Sequence, residues 1–234
     1  MADLEVIELY GSPFSERLRW ALSVKGLPHK RRSFVPIAGE AEHRRATGIA
    51  TAPVLLADGK VIGDSNQALE WLERAAPKPA LLPEQPSQRA QVRAWEAFAS
   101  EVLAPYARLG AIGRFKKLNL QPLADHFAAK YHWSEDEEQR ALKRLEDVLP
   151  DLARSAADGG FLVGDAFTRA DLTLAAMLAT VFGHPSDETF EVDAGMRPMF
   201  GLPIGDDAAL APLRRWRDEM YRRHRGERVT APIR

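Results

Sequence analysis

The stretch LEVIELYGSPFSERLRWALSVKG, residues 4–26, sets a strand, a tight turn and a helix in immediate succession. Leu4, Val6, Ile7 and Leu9 make residues 4–10 an apolar-rich strand, and Gly11 ends it. Ser12 is a favoured residue at a helix N-cap, and Pro13 is favoured at the first helical position. Phe14, Leu18, Ala21 and Leu22 then recur at the spacing of one helical face. Gly26 and Pro28 supply the stop. By local pattern alone, Ser12 has no more than a capping role.

Outward from this unit the first third of the chain continues as mixed α/β. A weaker strand is expected over 32–35, and a short polar helix over 40–47 closed by Gly48. Residues 52–57 form a third strand and 60–63 a fourth, joined by Asp58-Gly59, a strong hairpin signal. Asp64-Ser65 opens a helix with Ala68, Leu69, Leu72 and Ala76 on one face, ended by Pro77. The order strand, helix, strand, helix, strand, strand, helix suits a small layered α/β domain with a mixed sheet.

Pro77, Pro79, Pro83 and Pro86 crowd residues 77–87, the best domain boundary in the chain. Ser87 is placed to cap a long helix whose buried face is marked by Val92, Trp95, Phe98, Ala99, Val102 and Leu103, with Pro105 expected to kink or end it. Helices are also expected over 122–132, 135–156, 168–182 and 208–225, with no strand after Ile62. Thr168-Arg169-Ala170-Asp171 has capping-box spacing, with Asp in the Glu/Gln role. The apolar residues after it surround the whole helix, as in a buried bundle centre. The stretch from Val181 to Pro203 carries Phe182, Phe190, Met196, Met199 and Phe200 and reads as a long irregular segment near a pocket or over the bundle. The organisation is α/β plus all-α: residues 1–77, a linker at 78–87, and an all-helical domain over 88–234.

Composition narrows the function. At 45 % hydrophobic and 28 % charged residues the chain has the balance of a soluble globular protein. A formal net charge of −1 gives no reason to expect a nucleic-acid partner. The basic residues Arg214, Arg215, Arg217, Arg222, Arg223, Arg225 and Arg228 read as a solvated helix face and tail. No apolar run is long enough to span a bilayer, and MADLEVIELYGS lacks the basic start and apolar core of a secretory signal. The expectation is a cytoplasmic protein with no membrane partner. Cysteine is absent, which excludes disulfides, thiolate metal sites and a cysteine nucleophile; no metal is expected.

Four motifs, in order along the chain, resemble those of the cytosolic glutathione transferases. SPFSERLRWALSVKG is similar to the active-site turn and first helix of the serine-type, tau-like members. APVLLADGKVIGDSNQALEWLE resembles the proline-bearing strand, hairpin and glutathione-binding helix. LLPEQPSQRAQVRAWEAFA resembles the linker and first bundle helix, and GDAFTRADLTLAAML the capped buried helix. The resemblance implies a thioredoxin-like, glutathione-binding domain followed by a helical bundle that contributes the electrophile pocket. It also implies a homodimer and a role in detoxification, with glutathione as co-substrate and a small hydrophobic electrophile as its partner.

The resemblance also gives roles to residues. A thiol of cysteine type ionises near pH 8.5, so a transferase must stabilise the thiolate. The Ser12 hydroxyl, with the first N–H groups of the helix, is the candidate donor. Ser15 is the runner-up, more readily read as facing solvent or capping locally, and Tyr10 is a further candidate because some members use a tyrosine. Phe14 belongs to the same turn. Pro53 resembles the family's cis-proline, which turns the Ala52 backbone towards the cysteinyl part of glutathione; an ordinary trans proline at a strand start is the alternative. Ser65 suits the γ-glutamyl carboxylate and Asp64 the ammonium, the alternative being that both merely cap the helix. Ala38 stands where tau-like members carry a lysine for the glycyl carboxylate, and Thr51 where lysine is frequent. His43, Arg44 and Arg45 are the cations that stand nearby in sequence. Tyr106, Leu109, Ile112 and Phe115 are candidate walls of the electrophile pocket, or else core residues. Three activities fit the scaffold: transfer of glutathione to an electrophile, a glutathione-dependent isomerase or peroxidase, and a non-catalytic interaction protein.

Overall fold

The computed structural model of the chain describes residues 3–9, 11–185, 197 and 199–225. Four strands, β1 (Leu4–Leu9), β2 (Lys30–Phe34), β3 (Val54–Ala57) and β4 (Lys60–Gly63), form one sheet in the order β2-β1-β3-β4. β1 pairs parallel with β2, from Glu5↔Lys30 to Leu9↔Phe34, and antiparallel with β3, from Leu4↔Ala57 to Ile7↔Val54. The β3–β4 hairpin turns through Asp58 and Gly59, both at positive φ (49° and 75°), the conformation that Asp-Gly favours between twisted strands.

β2 starts two residues before the expected position. Arg31 hides the strand from an apolar pattern: it is buried, and Glu8 on β1 neutralises it at 2.6 Å. β3 starts only after Pro53, which has no N–H for the ladder. Three helices belong to this part: α1 (Pro13–Val24), α2 (Glu40–Thr47) and α3 (Ser65–Ala75).

Past the prolines the described residues carry no strand. α4 (Pro86–Ala97) starts at Pro86, so Ser87 sits inside the first turn and is not the cap; proline fixes the first helical φ by itself. Pro105 does not end the helix. The segment Phe98–Leu103 widens into π-helix, and α5 (Ala104–Lys117) continues from it with Pro105 in its first turn. A widened turn accommodates a residue that has no N–H and that crowds the carbonyl four positions back. Val102, assigned to the buried face, is 38 % exposed, because the π-turn rotates it out of register with Val92, Ala99 and Leu103.

The helices α6 (Gln121–Lys130), α7 (Glu135–Ser155), α8 (Arg169–Met177), α9 (Ala179–Phe182) and α10 (Ala211–His224) complete the bundle. The expected single helix over 168–182 is broken at Leu178 into α8 and α9. Every residue of α8 is buried. Its start is held by the capping box: Thr168 Oγ1 accepts from the Ala170 N–H, and the Asp171 carboxylate accepts from the Thr168 N–H at 2.8 Å.

The helical layer clasps α1. Trp20 is fully buried, donates its indole N–H to the His224 carbonyl at 2.8 Å, and packs its ring against Phe167 and Tyr221. Two of the carboxyl-terminal arginines are not part of a solvated face. Arg225 is buried against the fully buried Glu16 at 2.5 Å, and Arg217 is buried with its Nη1 on the Gly183 carbonyl at 2.6 Å. Arg228, Phe190 and Met196 lie outside the described residues.

Candidate active site

Gly11 sits at φ +73°, where an L side chain is strained, and a Cβ there would come within 2.7 Å of the Phe200 ring. Phe200, from the unassigned segment, thus lies directly on the turn that opens α1. The Ser12 N–H donates to the Leu9 carbonyl at 3.2 Å, which closes the turn.

Ser12 occupies the N-cap of α1 in extended conformation, yet its side chain makes no capping bond. This separates the two readings of Ser12. Pro13 has no N–H, and the Glu16 N–H already donates to the Ser12 carbonyl at 3.0 Å. The N–H groups of Phe14 and Ser15 are therefore the open donors of the helix end. An idle hydroxyl beside two open N–H groups and the positive end of a helix dipole makes a receptor for an anion. Ser15 does not face solvent. It is 1 % exposed, and its Oγ is buried without a hydrogen-bond partner among the described residues. Tyr10 lies outside the described residues.

The Ala52–Pro53 peptide is cis, the alternative that the resemblance implied. The loop before it is held by His43, whose Nε2 donates to the Thr51 carbonyl at 2.9 Å and whose buried ring stacks on Phe34. His43 is thus engaged in shaping the loop rather than offering a charge. Arg44 and Arg45 are exposed on the outer side of α2.

Asp64 and Ser65 make different bonds at the start of α3. Asp64 caps α3: its Oδ1 accepts from the N–H groups of Asn66 and Gln67 at 2.9 and 3.0 Å. Ser65 is released from capping, and its buried hydroxyl accepts from Arg17.

Arg17 was not singled out in the sequence, where it reads as one more charge on a helix. It is fully buried, and its other donors go to Asn66 Oδ1 and Ser100 Oγ, both at 2.8 Å. Among the described residues all its hydrogen-bond acceptors are neutral. Burial pulls its guanidinium down to about 10, against the raising effect of Glu96, with Arg169 lowering it further and Asp64 raising it. A buried cation held by neutral side chains suits a site that receives a carboxylate. With Arg17 bound at its oxygen, the Ser65 hydroxyl keeps its own proton to donate.

The candidate pocket walls sort by helix face. Tyr106 lies on the side of α5 that carries Gly110 and Gly113, which pack on Leu142 and Glu138 of α7, so it points into the bundle. Ile112 and Phe115 are buried, the latter against Phe127 of α6 with ring centroids 6.3 Å apart. Leu109 stays half-buried. Arg108 of α5 meets the active-site turn: its guanidinium lies 5.9 Å from the Phe14 ring centre and 4.2 Å from that of Tyr131.

Glu40, at the start of α2, reaches across to α6, where it accepts from His126 Nε2 at 3.0 Å and Lys130 Nζ at 2.9 Å. Burial raises its carboxyl, but the bonds and charges of Lys130 and His126 outweigh that and hold it below the ordinary carboxylate range. A lowered carboxyl stabilises the fold above that range, and the contribution disappears as pH falls through the folded value. Wild type is expected to exceed Glu40→Gln in stability by about 1 kcal/mol at neutral pH, and urea midpoints of the two should converge in acid.

Among the described residues no three His, Asp or Glu side chains gather as a metal site, and no helix is long and apolar enough to cross a membrane.

Family models of the glutathione S-transferase N-terminal and C-terminal domains match residues 6–80 and 111–191. The chain belongs to the glutathione S-transferase family. A probable glutathione S-transferase of Nicotiana tabacum is 24 % identical over 226 residues, covering 94 % of this chain and 84 % of its own. The maleylacetoacetate isomerase of Rattus norvegicus is 29 % identical over 197 residues, covering 81 % and 80 %. The fold matches that of the theta class glutathione S-transferase of Xanthomonas axonopodis pv. citri, solved with glutathione bound, with a TM-score of 0.68 over 98 % of this chain and 100 % of that one, at 18 % identity.

Proposed function

We propose that this enzyme adds the thiolate of glutathione to a small hydrophobic electrophile, with Ser12 stabilising the thiolate. The observation that carries the reading is the Ser12 hydroxyl, uncommitted at a helix end whose first N–H groups are open. The Ser12 O–H donates to the sulfur while the Phe14 and Ser15 N–H groups and the helix dipole favour its negative charge. The backbone of Ala52, ahead of Pro53, pairs with the cysteinyl part of the tripeptide. Ser65, polarised by Arg17, donates to the γ-glutamyl carboxylate, and the second carboxylate oxygen of Asp64 takes the ammonium. On an aryl halide, the S–C bond forms as the carbon–halogen bond breaks, halide leaves, and the thiol proton passes to solvent.

The proposal places residues 1–77 as the glutathione domain, 78–87 as linker and 88–234 as the domain carrying the electrophile pocket. It includes a cytoplasmic homodimer and a role in detoxification. The relationship to the rat isomerase favours a second reading, glutathione-dependent isomerisation at the same thiolate site.

Isothermal titration with glutathione and a conjugation assay with an aryl halide test the reading. Absence of binding at millimolar glutathione overturns both enzymatic readings in favour of an interaction protein. Arg17→Met is expected to weaken glutathione about tenfold or more, the range for losing a charge-assisted bond at a buried site, which the same titration reads.

A further inference from the structure

We infer that Arg108 selects electrophiles that carry a carboxylate or a comparable anion beside the reacting carbon, an inference that rests on the thiolate reading of the Ser12 turn. The guanidinium lies near two aromatic rings, 5.9 Å from the ring centre of Phe14 in the active-site turn and 4.2 Å from that of Tyr131 at the end of α6. All three side chains are half-buried. Stacking occupies the face of a guanidinium and leaves its N–H donors along the edge. Among the described residues Arg108 has no carboxylate partner.

Glu40, which reaches α6 from α2, is already taken by His126 and Lys130. The lysines near this wall are paired, Lys130 with Glu40 and Lys116 with Asp125 at 3.3 Å, while Arg17, 5.5 Å from the Phe14 ring centre, spends its donors on Ser65, Asn66 and Ser100. Arg108 thus differs from these neighbours in that neither a carboxylate nor a neutral side-chain acceptor takes up its donors among the described residues. The two rings confine the side chain, which lowers the ordering cost of a charge-assisted bond to an anion. Phe14 connects this fork to the reacting sulfur, because it stands two residues after Ser12 and under Arg108. The ligand that fits is flat and amphipathic: an apolar body against Phe14 and Tyr131, with its anionic group on Arg108.

The test compares a chloronitrobenzoate with its methyl ester, each kcat/KM divided by the uncatalysed rate with glutathione. Wild type should prefer the acid. Arg108→Met should lower the normalised value for the acid about tenfold, the cost of one charge-assisted bond, and change that for the ester by less than about threefold. Arg108→Lys, which keeps the charge but not the planar fork, should retain only part of the preference, and the KM for glutathione should be unchanged in both variants. Equal losses on acid and ester, or no preference in wild type, overturn the inference and leave Arg108 as packing between two rings. If neither compound is conjugated, the transfer reading fails on its own, and equilibrium dialysis of the acid then decides the subsite. Binding that Arg108→Met abolishes supports it, and equal binding to wild type and variant overturns it.

Discussion

Ser12→Ala should lower kcat/KM for conjugation about a hundredfold while leaving thermal stability almost unchanged. The first half follows from the loss of a donor to a buried anion. The second half follows from the structure, because replacing a serine N-cap ordinarily costs about 1 kcal/mol through its lost capping bond. Ser12 makes no such bond, so alanine removes nothing from the helix. A variant that loses activity and stability together would return Ser12 to the role of a cap. Ser15→Ala is the matched control. Its hydroxyl is enclosed without a partner, so its removal should leave turnover intact.

Asp171→Ala should cost about 3 kcal/mol in urea denaturation. Its two oxygens accept three bonds: from the N–H groups of Leu162 and Thr168 at 2.8 Å and from the Thr168 hydroxyl at 2.9 Å. Alanine leaves three buried donors unanswered. Burial also pushes the Asp171 carboxyl above its ordinary range against the pull of those bonds, so desolvation offsets part of their value. Because α8 is buried on every side and packs on α1, this loss loosens the support of the active-site helix as well as the bundle. Conjugation by the folded fraction should survive the substitution, since Asp171 touches none of the candidate site residues.

What the chain disclosed in advance was local. The strand, turn and helix of residues 4–26, the Asp58-Gly59 hairpin and the Thr168–Asp171 box each depend on residues within four positions of one another, and each is found in the structure. The π-turn before Pro105 was hidden because proline interrupts a helical pattern in the same way whether the helix stops or widens. Arg17 and Arg108 were hidden for a different reason. Arg17 takes its meaning from Ser65 and Ser100, 48 and 83 residues away, and Arg108 from Phe14 and Tyr131. On a helix written out in sequence, both are solvent-facing charges. Tyr106 and Arg108 are two residues apart, which sets them on nearly opposite faces of α5. Aromatic character singled out Tyr106, while the contact with the active-site turn belongs to Arg108. Asp64 and Ser65 were recognised as a pair, but the division of capping between them needed the Arg17 bond to be seen.

The thiolate itself reports on the central claim. Titrating the ultraviolet absorbance of glutathione thiolate bound to wild type and to Ser12→Ala should give a pKa about one to two pH units below that of the free thiol in wild type, and a value near the free thiol's in the variant. Coincident titrations of the two proteins would contradict the assignment of Ser12 as the group that holds the thiolate.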